Sequence, residues 1–66
     1  MKLTINGALS EILDGSTVAG LLKSLQIEPE KVAVEVNLKI IKKQYYHTQA
    51  LNDGDSIEIV NFVGGG

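Results

Sequence analysis

This 66-residue chain has no cysteine, tryptophan or arginine, and it uses proline, histidine, phenylalanine and methionine once each. Without cysteine there is no disulfide staple, no thiolate zinc site and no cysteine nucleophile, which fits a reducing compartment. Without arginine the bidentate contacts to bases and phosphates are lost, and six lysines against eight carboxylates leave a net charge of -2. That balance excludes a nucleic-acid partner. The basic run Lys39, Lys42 and Lys43 reads as a solvated strand edge that blocks edge pairing. No apolar run approaches the ~18 residues of a membrane span. The N-terminus alternates apolar and polar residues, unlike the unbroken apolar stretch of a signal peptide. The expectation is a soluble cytoplasmic protein with no membrane partner. A chain this short also leaves no interior for an enclosed active site.

Hydrophobic residues make up 44% of the chain, a folding composition. Met1, Leu3 and Ile5 alternate with polar residues, the period of a half-buried strand. Asn6-Gly7 follows, a hairpin signal because both turn positions need positive φ. Ala8 to Leu13 reads as the returning strand. After a turn and N-cap at Asp14 to Thr17, residues Val18, Leu21, Leu22 and Leu25 form one helical stripe. Pro29 forbids continuation, giving a helix of about two and a half turns with Gly20 as a weak point. Val32, Val34 and Val36 form a third strand facing the core. Asn37-Leu38 is a turn and Ile40-Ile41 a short strand. Lys42 to Leu51 reads as a loop with one helical turn at Gln44 to His47, and Tyr45 and Tyr46 read as lids on the core edge. Ser56 to Phe62 alternates again, with Ile57 and Ile59 on one side and Glu58, Val60 and Phe62 on the other.

One amphipathic helix covers one face of one sheet, so the fold is a two-layer α+β domain. A crossover returning to the same sheet makes it the β-grasp arrangement, with a mixed sheet of four to five strands. The domain is placed at 1–62 and a flexible C-terminal tail at 63–66.

Catalytic constellations are missing. His47 has no ligand partner at helical or strand spacing and takes a structural or solvated role. Asp53-Gly54-Asp55 lacks the twelve-residue calcium-loop spacing and reads as a turn. The unusual feature is Gly64-Gly65-Gly66. At an average glycine usage of ~7%, a chance triplet at that position has odds on the order of one in several thousand. Without Cβ atoms the segment can thread a channel too narrow for other residues. Extended, it carries the last carboxylate about 10 Å beyond the folded body. That carboxylate, with a reference pKa of ~3.3–3.7, is ionised at neutral pH and is an oxygen nucleophile. A chain with nothing catalytic and a presentable carboxylate reads as a substrate of another enzyme, not as an enzyme.

The ordered set Ile5-Asn6-Gly7, Leu13 to Val18 leading into Leu21-Leu22, Val32 to Asn37, Leu51 to Val60 and Gly65-Gly66 resembles the ubiquitin-like sulfur carriers, most closely those of thiamine biosynthesis. One departure is Leu38, where the family often has glycine after the asparagine. The resemblance implies that an E1-like adenylyltransferase uses ATP and magnesium to convert the Gly66 carboxylate to an acyl-adenylate. A sulfur donor protein then displaces AMP to leave a thiocarboxylate, and thiazole synthase consumes the sulfur. The chain itself binds no cofactor or metal on this reading. Gly64 and Gly65 thread the partner active site.

Alternation puts Val60 and Phe62 on the open face of the sheet, and with Val63 they form the expected docking surface. Rival readings are the small subunit of molybdopterin synthase, a protein modifier, and a non-covalent β-grasp interaction module with an inert tail.

Overall fold

The computed structural model describes residues 1–62. Val63, Gly64, Gly65 and Gly66, and with them the expected tail, lie outside the described residues. The chain forms strands β1 (Lys2–Ile5) and β2 (Ala8–Glu11), helix α1 (Val18–Ser24), then strands β3 (Val32–Val36), β4 (Lys39–Ile41) and β5 (Ser56–Asn61). Two short 3-10 turns, Pro29–Lys31 and Lys43–Tyr45, lie in the connections. The sheet order is β2-β1-β5-β3-β4. β1 runs parallel to β5, and the other pairs are antiparallel. This is the two-layer β-grasp arrangement anticipated from element order.

The first hairpin turns at Asn6 and Gly7, with φ of 49° and 83°, the positive values that a two-residue turn demands. β2 ends at Glu11, two residues earlier than the alternation predicts, because Glu11 already pairs with Lys2 at the start of β1. Ile12 still donates its N–H to the Met1 carbonyl at 2.9 Å. Leu13 then leaves the sheet and is exposed.

Helix α1 begins as expected. The Thr17 hydroxyl accepts the Gly20 N–H at 3.2 Å, which satisfies one of the orphan donors of the first turn. It is shorter than the predicted two and a half turns. Gln26 takes a φ of 60°, its N–H reaches the Lys23 carbonyl at 3.0 Å, and the Ile27 N–H reaches the Leu22 carbonyl at 2.9 Å. This pair of bonds is a Schellman ending with glutamine where glycine is usual. The helix therefore stops before Pro29, which instead opens a 3-10 turn.

Val18, Leu21 and Leu22 from the helix meet Leu3, Val32, Val34, Val36 and Ile57 from the sheet, with Tyr46 and Leu51 closing the core. Tyr46 is thus a core residue and not a lid; its hydroxyl donates to the Val32 carbonyl at 3.4 Å, and burial raises its pKa above 10.0. Tyr45 is half exposed. The helical turn expected at Gln44 to His47 is displaced by one residue to Lys43–Tyr45.

The β3–β4 turn places Asn37 at φ 52° and Leu38 at φ 72°. Asparagine tolerates that region; a branched hydrophobic residue does so at a cost of about 1–2 kcal/mol. The Leu38 side chain is 88% exposed and recovers little of that cost by packing. Replacing Leu38 by glycine is expected to stabilise the domain by about 0.5–1 kcal/mol, after the greater unfolded-state entropy of glycine is counted. Urea denaturation should show a higher midpoint at an unchanged slope.

At the start of β1, the Met1 ammonium donates to the Ile12 carbonyl and to Asp14 Oδ1, both at 2.7 Å. Glu11 Oε2 lies 3.3 Å away. The Asp14 hydrogen bond is the main reason that the ammonium pKa rises above 8.0, and the same bond lowers Asp14 below 3.8. Stability from the raised amine is complete below its unfolded pKa and is lost as pH rises through the folded one. Stability from the lowered carboxylate is lost as pH falls through its folded value. Asp14→Asn should therefore flatten both limbs of a thermal-stability profile, the acid limb below the reference value of 3.8 and the alkaline limb above that of 8.0.

Candidate functional site

The route to the glycine segment is set by β5. Its Cα partners on β3 run from Ile57 opposite Val36 to Asn61 opposite Val32. The Phe62 N–H then donates to the Lys31 carbonyl at 2.8 Å. The chain thus stays attached to the sheet up to the last described residue. On the other side Ile57 pairs with Ile5 of β1. β5 is therefore the central strand of the sheet, and Phe62, the last described residue, follows directly from its end.

The alternation of β5 divides its side chains as the sequence predicts. Ile57 is fully buried beneath the helix, Ile59 is partly buried against the core, and Val60 and Phe62 are 56% and 48% exposed. Directly opposed residues share a face, so Ala33 lies beside Val60 and Ile40 beside Glu35 on the side away from α1. Ile40 is 74% exposed. Val60, Phe62, Ala33 and Ile40 give the open face an apolar patch that the helix cannot cover. The Lys43 ammonium sits 4.9 Å from the Phe62 ring centroid, a cation–π contact that holds the ring at the patch margin.

Glu35 and Glu58 are directly opposed beside this patch, an unfavourable juxtaposition of like charges. Neither has an ion-pair partner among the described residues. The docking set expected from sequence was Val60, Phe62 and Val63. The structure brings the first two together, and Val63 lies outside the described residues. Ile40 and Ala33 were missed because the placement of Ala33 beside Val60, and of Ile40 beside Glu35 on the same face, depends on strand register. Their signal was the alternation in β3 and a β4 isoleucine flanked by lysines.

The other residues weighed for chemistry have local roles. Asp53 Oδ1 accepts the Lys2 N–H at 2.6 Å, and Asp55 accepts the Asn52 N–H and an Asn37 amide proton at 2.8 and 2.9 Å. Both carboxylates fasten turns. His47 is exposed on the helix side, at the rim of a shallow groove of about 380 Å³ that also touches Ala19, Lys23, Ile27 and Pro29. Among the described residues no three metal-ligating side chains come together, and no helix is long and apolar enough to cross a membrane.

The sequence profile of the ThiS family matches residues 3–66, a span that includes all three terminal glycines. The chain belongs to the ThiS family. It is 53% identical over 53 residues to the sulfur carrier protein ThiS of Bacillus subtilis, which covers 80% of each chain. Its fold matches the crystal structure of the thiamine biosynthesis protein ThiS from Geobacter metallireducens with a TM-score of 0.87, at 33% identity and over the full length of both chains. The whole chain is also 50% identical to part of a thiazole synthase from Paramagnetospirillum magneticum, where it spans 20% of that protein's length. The fold is thus that of the ubiquitin-like ThiS domains, a five-stranded mixed sheet carrying one helix.

The division of faces gives a direct test. Val60→Ser and Phe62→Ala, on the open face, should each change stability by no more than about 0.5 kcal/mol. Ile57→Ala, in the core, should cost about 2–5 kcal/mol. Urea unfolding of the three variants would reverse this order if β5 were turned over.

Proposed function

We propose that this chain is a sulfur carrier for thiazole formation in thiamine biosynthesis, with the Gly66 carboxylate as its working group. The observation that carries the reading is the family match, which runs from Leu3 through Gly66. An E1-like adenylyltransferase, using ATP and magnesium, activates that carboxylate. The carboxylate oxygen attacks the α-phosphorus and pyrophosphate leaves, giving an acyl-adenylate. A sulfur donor protein delivers hydrosulfide, whose sulfur attacks the acyl carbon and expels AMP, leaving a thiocarboxylate on Gly66. The thiocarboxylate then surrenders its sulfur to thiazole synthase. Adenylation is needed because a carboxylate oxygen is a poor leaving group and AMP a good one.

On this reading the chain is a co-substrate, and its own contribution is binding and reach. The open apolar face docks to the activating enzyme, and Gly64 and Gly65 pass through its narrow channel to present Gly66. The uncompensated Glu35–Glu58 pair favours a partner surface with a cation set among apolar groups. The likeness to part of proteins named thiazole synthase favours the thiamine branch over the molybdopterin one.

Phe62→Ala should weaken binding to the adenylyltransferase about 5- to 50-fold, the usual range for losing an aromatic anchor, while the fold is retained. A titration with unchanged affinity would remove Phe62 from the interface. For function, thiazole synthase supplied with the activated, sulfur-loaded chain should form thiazole in proportion to the carrier added. A variant lacking Gly65 and Gly66 should form none. Undiminished thiazole from the truncated chain would overturn the carrier reading and favour an interaction module with an inert tail.

A further inference from the structure

β1 ends at Ile5, yet the ladder it makes with β5 continues beyond that point. The Thr4 N–H donates to the Asp55 carbonyl at 3.0 Å and the Asn6 N–H to the Ile57 carbonyl at 2.9 Å. The next acceptor in the series is the Ile59 carbonyl, but at Gly7 the backbone has already turned away into β2. The Asn6 side chain fills the gap. Its Nδ2 donates to the Ile59 carbonyl at 3.2 Å, and its Oδ1 accepts the Ile59 N–H at 2.7 Å. One carboxamide thus acts as a missing strand residue, offering a donor and an acceptor in the same sense as a peptide unit. Without it both polar groups of Ile59 would face an abandoned sheet position, one residue before Val60 and three before Phe62.

Resting on the docking role of Val60 and Phe62 given above, we propose that Asn6 is a positioning residue for activation. By pinning β5 at Ile59 from the β1 side, while β3 holds it from the other, the Asn6 amide fixes the geometry in which the docking residues meet the adenylyltransferase. Asn6 never contacts the reacting atoms. Its effect is on the ordering that docking would otherwise have to impose, so it belongs to KM and not to kcat.

Asn6→Gly isolates the amide, because glycine accepts the φ of 49° at this turn position and removes only the side chain. Asn6→Asp keeps an acceptor for the Ile59 N–H and loses the donor. Thr17→Ala serves as a control, since it removes the helix cap and lowers stability without touching β5. With the purified adenylyltransferase and ATP, carrier-dependent pyrophosphate release should show KM raised about 5-fold for Asn6→Gly, the size of one net hydrogen bond. Asn6→Asp should fall between it and wild type, with kcat unchanged in both. Thr17→Ala should leave KM at the wild-type value. Amide exchange at Ile59 should quicken about 10-fold or more in Asn6→Gly relative to Val34, which lies across the sheet. A wild-type KM for Asn6→Gly, or an equal rise in Thr17→Ala, would overturn the positioning role and leave the carrier reading intact. No pyrophosphate release from the wild-type chain by an enzyme active on its own carrier would overturn both.

Discussion

The placement of β5 between β1 and β3 is the constraint on which the rest depends. The last strand in the sequence is the middle strand of the sheet, and its Ile57 is buried against the helix that follows the first hairpin. Ends of chains ordinarily fray. Here the final strand is fastened on both flanks from Ser56 to Ile59, and from Val60 to Phe62 it is held by the β3 side alone.

Size enforces the division of labour between the two faces. Sixty-six residues supply one amphipathic helix with one apolar stripe, and that stripe covers one side of the sheet. The other side is left to solvent or to a partner. On a purely solvated face, alternation would place polar residues throughout. Instead Val60, Phe62 and Ala33 lie together on this face, and Ile40 shares it beside Glu35, in the row of two opposed glutamates that gain nothing from each other.

Much of the architecture was legible in the residues because short-range chemistry dictated it. Asn6-Gly7, the Thr17 cap, the valines of β3 and the in-out alternation of Ile57 to Phe62 each declare a local geometry. What could not be read there depended on tertiary partners. β2 stops at Glu11 because β1 supplies no further partner, a matter of register. The helix ends at a Schellman motif built on Gln26, although glutamine carries no C-cap signal and Pro29 looked like the terminator. Tyr46 enters the core because a turn swings it inward, whereas its neighbour Tyr45 stays at the surface. Leu38 at positive φ is a place where local preference yields to the hairpin. The candidate site divides in the same way. Val60 and Phe62 followed from alternation, while Ile40 and Ala33 needed strand pairing, and the role of the Asn6 side chain needed the third dimension.

The claim that this chain carries sulfur on Gly66 is tested most directly by intact mass spectrometry. The chain would be incubated with ATP, magnesium, a sulfide source and an active adenylyltransferase of its kind, beside a variant lacking Gly66. The predicted result is a mass gain equal to exchanging one oxygen for one sulfur, mapped to Gly66 and absent from the variant. An unchanged mass, with no adenylate formed by an enzyme that activates its own carrier, would contradict it.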